Sequence, residues 1–418
     1  MSDNKAIRNA KVWTADKSNP WAECIVVRDN KIAFAGTYND AEEFIDEKTE
    51  VIDAGGKMII PSFIDSHTHT SMLIRSSWLE PFEFEGCQTM DEVMKMVADY
   101  IGNRTPEEFP YVYADPVPTE LIEKEHADKH IVDKYVSDRP VLLSDTSFHQ
   151  CIANSKMLEL MEITKDTPYN EESAANYLRD EKGEPNGVIL ERLHEFNGDI
   201  QKMYEKIGWE PPRTDDIENI RKVYKPLCDY GISAIAEGFT DEERDVAGVK
   251  MAIDEGIYKG YFAPLPKFVG LDDLEKCIQT AKDWQDKYGS EYIIVDTVKC
   301  FVDGTNEVGT GAYVEPIEGT TDNYGEINIS EEDLTQAIRR LNEEGLSLQL
   351  HIVGDRGYRS ALNAVDKVKA ELDDPEKDFR IRVTLLHCEM IHPDDVTRAA
   401  QKGVFVNVTT AFAAGEFG

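Results

Sequence analysis

Two histidines one residue apart close the run Ile59-Ile60-Pro61-Ser62-Phe63-Ile64-Asp65-Ser66-His67-Thr68-His69, and their types and spacing could do chemistry. Alternate side chains of a strand share a face, so His67 and His69 point the same way. Two imidazoles converging at a strand end suit a divalent ion; the plainer alternative is two hydrogen-bonded polar residues. His351 and His387 repeat the placement, each closing an apolar run (Leu348-Gln349-Leu350 and Thr384-Leu385-Leu386). Four of the nine histidines at strand ends are hard to credit to packing, and together they predict a metal site. Lys299 lies inside Thr297-Val298-Lys299-Cys300-Phe301-Val302, where a charged ammonium is costly to bury. It must pair with a carboxylate, lose its proton, or react with carbon dioxide to give a carbamate that can bridge metals. Asp303 and Asp355 follow their strands beside Gly304 and Gly354; they could orient histidine ligands or be ordinary turn residues. Glu191 ends an apolar run and either reaches the site or pairs with Arg192. His149 is a candidate for substrate contact, whereas His126, His130, His194 and His392 read as solvated.

These residues need elements to hold them. Residues 5–60 read as short strands (6–14, 24–28, 31–35), a hairpin turn at Asp29-Asn30, a short helix at 39–45 and a strand at Val51-Ile52. From Ile217 onward, helical stripes alternate with apolar strands. Leu274, Cys277, Ile278 and Ala281 form one stripe; Leu334, Ala337, Ile338 and Leu341 form another, opened by Ser330 and Asp333. Strands are expected at 233–236, 292–295, 297–302, 347–352, 382–386 and 404–408, with Pro393 in the first turn of a helix. Such alternation argues a parallel sheet, and this many units argue a barrel. Residues 72–215 break the rhythm and read as an insertion after the first barrel strand, of the kind that covers a catalytic face.

Composition narrows the field. The chain of 418 residues carries 81 acidic and 45 basic residues, a net charge of −36, which disfavours nucleic acid and anionic membranes as partners. No stretch approaches the roughly 18 apolar residues of a membrane span, and the N-terminus has no secretory apolar core. Seven scattered cysteines without a C-x-x-C pair suit reduced thiols and a cytoplasmic location. No G-x-S-x-G, P-loop lysine or cysteine with a partner base is present.

Pro61 to His69 in order, Phe148-His149 with Asn154-Ser155, Gly187-Val188-Ile189-Leu190-Glu191, Val298 to Gly304, His351 to Arg356 and Leu386-His387-Cys388-Glu389 together resemble the amidohydrolase superfamily. The resemblance is greatest to its third family, which includes N-substituted formamide deformylases, and it spans nearly the whole chain. Ser62 stands where a glycine is usual. The resemblance implies an α/β fold: a distorted (β/α)8 TIM barrel over residues 58–418, beside a β-sandwich to which residues 1–57 contribute. It also implies one or two divalent metals, zinc foremost, with His67, His69, His351 and His387 as ligands and Lys299 as a carbamate bridge. The family's eighth strand carries an aspartate that binds metal and shuttles the proton. Here the chain stops at Ala411-Phe412-Ala413-Ala414-Gly415-Glu416-Phe417-Gly418, after what counts as the seventh strand. The expectation is a barrel without its eighth strand, a sandwich without its C-terminal strands, and lower activity than an extended chain.

The leading expectation is metal-dependent hydrolysis of a C–N bond in a small-molecule amide or related acyl compound. Catalytic roles fall on His351, His387 and Lys299, and substrate contacts on His149, Glu191 and Asp303. The alternative is a truncated, impaired relative that at most binds metal; a lyase or isomerase on the same barrel is a third reading. A homodimer would be one way to cover an open strand edge.

Overall fold

A computed structural model describes residues 4–79, 82–170, 175–191 and 198–409. The chain divides into two units, Met1–Asp65 with Leu227–Ala234, and Ser66–Pro226 with Ile235–Gly418.

In the first unit, Lys5–Arg8 is the centre of a four-stranded sheet. It pairs antiparallel with Cys24–Arg28, which in turn pairs with Lys31–Gly36, and parallel with Glu50–Asp53. Asp29 and Asn30 both take positive φ, 47° and 59°, the two-residue turn whose twist matches a hairpin. The single strand expected at 6–14 is broken at Asn9, whose φ of 51° ends one strand and lets Lys11–Trp13 join a second sheet with Trp21–Ala22 and Met58–Ile59. The helix expected at 39–45 is only a 3-10 turn, Glu42–Phe44, which has no side-chain cap and runs into extended Ile45. Ala6, Cys24, Val26 and Ala41 are fully buried, with Phe34 stacked on Phe44 beside them.

The second unit carries the βα alternation. Thr297–Phe301, Ser347–Ile352, Val383–His387 and Phe405–Val408 form a parallel sheet in sequence order, connected through helices that include Glu331–Glu344, Asp355–Ala370 and Arg398–Lys402. Crossovers of this kind require a helix between neighbouring parallel strands. The helix faces are those the periodicity marks: Leu334, Ala337, Ile338 and Leu341 are fully buried, as are Ala361, Leu362 and Val365. Ser330 caps the first of these helices, accepting from the Asp333 amide at 3.0 Å. Pro393 opens a 3-10 turn, as its fixed φ suits. Residues 292–295 do not form a full strand. Ser290 folds them into a turn, and a single bridge, Ile293 with Phe262, remains. A second bridge, Lys267 with Lys299, continues the parallel run. Phe63–Thr68, Ile232–Glu237 and Tyr261–Ala263 make a further three-stranded sheet. The fold is thus mixed α/β with parallel strands. No ladder joins Phe405–Val408 to Phe63–Thr68 among the described residues, and 411–418 lie outside them.

Within residues 72–215 the structure places a separate five-stranded sheet, ordered Tyr177–Arg179, Pro185–Leu190, Gln150–Ala153, Val141–Asp145, Val112–Val117. Its core is apolar, with Leu142, Leu143, Cys151, Ile152 and Ile189 fully buried. All seven cysteines are free thiols. Among the described residues no helix is long and apolar enough to cross a membrane.

Candidate metal centre and its polar surround

The parallel register sets Phe301 beside His351, and Ile352 beside His387. The strand ends therefore lie level, as the apolar runs predict. Five imidazoles follow one another in ring contact. His69 lies 5.1 Å from His67 (centroid to centroid), His67 5.0 Å from His387, His387 4.5 Å from His351, and His351 6.1 Å from His149. The structure thus brings together His67, His69, His351 and His387, the four that close strands in the sequence, and adds His149 from the neighbouring sheet. His126 and His130 are exposed, His392 is half-buried, and His194 lies outside the described residues.

Burial governs the protonation of this group. It pushes His67 and His387 down to about 2 and His351 well below the usual imidazole range, with Lys299 and the other histidines adding to the effect. These three rings are neutral at pH 7, the form in which imidazole ligates a metal. His351 uses Nε2 on the Gly304 carbonyl at 3.0 Å, leaving Nδ1; His387 uses Nδ1 on Thr409 Oγ1 at 3.0 Å, leaving Nε2. Lys299 is 1% exposed, and burial pulls it down to about 7. Its Nζ lies 5.2 Å from the centre of the Phe301 ring, and no ion pair with a carboxylate is formed among the described residues. Of the three fates open to this lysine, the ion pair is therefore absent there. As the side chains stand, no set of three or more His, Cys, Asp or Glu among the described residues is drawn together tightly enough to hold an ion.

Beside the rings, Glu191 Oε2 meets His149 Nδ1 at 2.7 Å, while Oε1 accepts from the Thr310 hydroxyl. Burial works against the Glu191 carboxylate, but these two bonds hold it below the usual range. Gly304 leaves room for the pair: a Cβ there would sit 2.1 Å from Thr310 Oγ1 and 2.8 Å from Glu191 Oε1. Arg192, the alternative partner, lies outside the described residues. Glu191, His387 and Cys388 have φ of 57°, 71° and 48°, a conformation non-glycine residues adopt at a cost of about 1–3 kcal/mol each, which clusters at functional sites.

Asp303, the third residue expected to contact substrate, is tied to backbone. It is 1% exposed, and its carboxylate is used up by three backbone amides: Val353 (2.9 Å), Gly354 (2.8 Å) and Ala312 (3.0 Å). Burial nonetheless raises it to about 7. Its geometry is that of a tie between two loops. Asp355 likewise accepts from the Val314 amide at 2.8 Å.

Sequence reasoning missed Glu237, Gly238, Phe239 and Thr310. A carboxylate directly after the apolar run Ser233-Ala234-Ile235-Ala236 was the available signal, since a strand end that closes on a polar side chain is where His351 and His387 also sit.

A model of the amidohydrolase family matches residues 50–418, and the chain belongs to that family, a class of hydrolases. Among curated relatives, the exoenzymes regulatory protein AepA of Pectobacterium carotovorum subsp. carotovorum is 23% identical, covering 97% of this chain and 84% of the relative. The N-substituted formamide deformylase of Arthrobacter pascens is 29% identical, over 87% of this chain and 66% of its own. Among solved structures, an uncharacterized metal-dependent hydrolase from Pyrococcus horikoshii superposes with a TM-score of 0.68 at 18% identity, over 98% of this chain and 75% of that one. This likeness shows the shared fold.

Proposed function

We propose that the chain is a metal-dependent hydrolase that cleaves a C–N bond in a small-molecule amide or related acyl compound. The observation that carries this reading is the contiguous series of histidine rings, of which His67, His351 and His387 are held neutral by burial, beside a buried lysine with no carboxylate paired to it among the described residues. That donor set fits a divalent ion, zinc foremost. His67, His69, His351 and His387 would hold it, with Lys299 joining as a carbamate. An ion held there acidifies a water toward about pH 7 and polarises a carbonyl.

The protein's own groups do the rest. Glu191 fixes the His149 ring by accepting from Nδ1, which leaves Nε2 directed elsewhere for a substrate group. Thr310 holds the far oxygen of Glu191, and Gly304 holds His351 through its carbonyl. The N-substituted formamide named for the Arthrobacter relative is the first substrate class to try.

Metal content of the purified full chain, read by elemental mass spectrometry, tests the proposal. One or two equivalents of zinc, lost in His67→Ala/His69→Ala, together with turnover of an N-substituted formamide, are expected. A folded protein that takes up no metal when supplied with zinc would make the impaired relative the better description.

A further inference from the structure

We propose that Glu237, Gly238 and Phe239, three consecutive residues, form a positioning device that fixes His69 at the end of its strand. The device acts on the ring and on the backbone that follows it. The carboxylate of Glu237 accepts four hydrogen bonds. Oε2 takes the Thr70 amide (3.1 Å) and hydroxyl, and Oε1 takes the Ser71 amide (3.0 Å) and hydroxyl (2.7 Å). Thr70 and Ser71 are the two residues after His69, which itself is the N-cap of the helix Thr70–Arg75 and makes no capping bond with its side chain. Glu237 therefore performs the capping that the His69 side chain does not. Tyr224, also fully buried, extends the tie with a hydroxyl 2.9 Å from Thr70 Oγ1.

Gly238 fixes the ring by having no side chain. A Cβ at this position would lie 2.2 Å from His69 Cε1, 2.6 Å from Nε2 and 2.8 Å from Nδ1, so the ring lies flat against the glycine backbone. The Gly238 amide donates to the Thr68 carbonyl, locking the two segments in register. Phe239 completes the seat, its ring 5.0 Å from that of His69 and inclined by 62°. Carboxylate, empty space and aromatic wall come from three adjacent positions: the first holds the backbone after His69, and the other two seat its ring.

The inference rests on the metal reading only for its consequence, so the test has two parts. Ring dynamics of His69 are measured by carbon relaxation at Cε1 in the histidine-labelled full chain, assigned through His69→Gln. The ring is expected to be ordered in the wild type, to become mobile in Glu237→Ala, and to be intermediate in Glu237→Gln, whose one amide oxygen keeps two of the four acceptances while its NH2 faces a backbone N–H. If Glu237→Ala does not fold, Thr70→Val, which removes one of the four donors, is read the same way. An ordered His69 ring in the folded variant would overturn the proposal. Cobalt(II) titration is the second part. Wild-type binding with about a 10–100-fold loss in Glu237→Ala, and a smaller loss in Glu237→Gln, is the expected result. Undiminished affinity in a folded Glu237→Ala variant would overturn the positioning role. Failure of the wild type to bind cobalt would sink the metal reading and leave the ring measurement to decide the positioning role.

Discussion

Lys299 holds an amine inside a strand whose neighbours Val298 and Cys300 are fully buried. Burial alone brings it to about 7, so near neutrality a sizeable fraction is the uncharged amine, the form that captures carbon dioxide. Lys299→Met keeps length and removes the amine. It is expected to preserve or raise stability, by up to about 2 kcal/mol, because an uncompensated buried polar group disappears. The same variant is expected to lose metal stoichiometry. Denaturant unfolding alongside elemental analysis checks both, and a stable variant with unchanged metal content would remove Lys299 from the ligand set. Glu191 makes a comparably sharp case. Glu191→Ala frees the His149 ring by deleting a charge-assisted hydrogen bond of about 1.5–3 kcal/mol, so kcat/KM for an amide substrate is expected to fall roughly ten- to a hundredfold while metal content stays constant. Steady-state kinetics decide it, and an unchanged kcat/KM would leave the dyad without a part in substrate handling.

At the scale of elements, the strands that end at His351 and His387 were legible because buried parallel strands read as continuous apolar runs, and a polar residue at the end of such a run stands out. The ring contacts among the histidines followed from those endings and the level register. The role of Asp303 was not legible. Its three amide donors lie 9, 50 and 51 residues away, and nothing in an Asp-Gly pair distinguishes a loop tie from a turn or a substrate contact. Short strands were read poorly for a related reason: Asn9 breaks a β-rich run through its own φ, and Ser290 turns another through a side-chain bond, both local events that β-propensity does not report. The loop tie carries its own prediction. Gly354 has room for no side chain, since a Cβ there would meet the Ala312 carbonyl at 2.0 Å, so the two loops pack backbone against backbone at the tie. Asp303→Ala is expected to cost about 3 kcal/mol or more by stranding three buried amides, and Asp303→Asn distinctly less. Urea unfolding of the two variants measures it; equal and small losses would show that the amides find other partners.

For the molecule as a whole, acid stability depends on the same buried groups. His67, His351 and His387 have folded-state values below the 6.5 of an unfolded imidazole, so their contribution is present above pH 6.5 and is lost as pH falls. Asp303 and Glu237, each raised to about 7, contribute oppositely: their share is present at low pH and is lost as pH rises from about 4 toward 7. Between about pH 4.5 and 6.5 the unfolded chain binds three more protons at the histidines and two fewer at the acids. These five groups therefore lower stability by about 1.4 kcal/mol per pH unit on acidification, and about three times as steeply below pH 4. Unfolding free energies at pH 7.5, 6, 5 and 3.5 trace that bend, and a His67→Asn/His387→Asn variant is expected to flatten it. The division of the chain has a consequence on another timescale, that of synthesis. The first unit is made of Met1–Asp65 and Leu227–Ala234, so its contacts cannot all form until residues 66–226 have been translated. At about 5–20 residues per second, the nascent first unit waits on the order of ten to thirty seconds for its last segment, although both sheets of residues 5–59 are already translated.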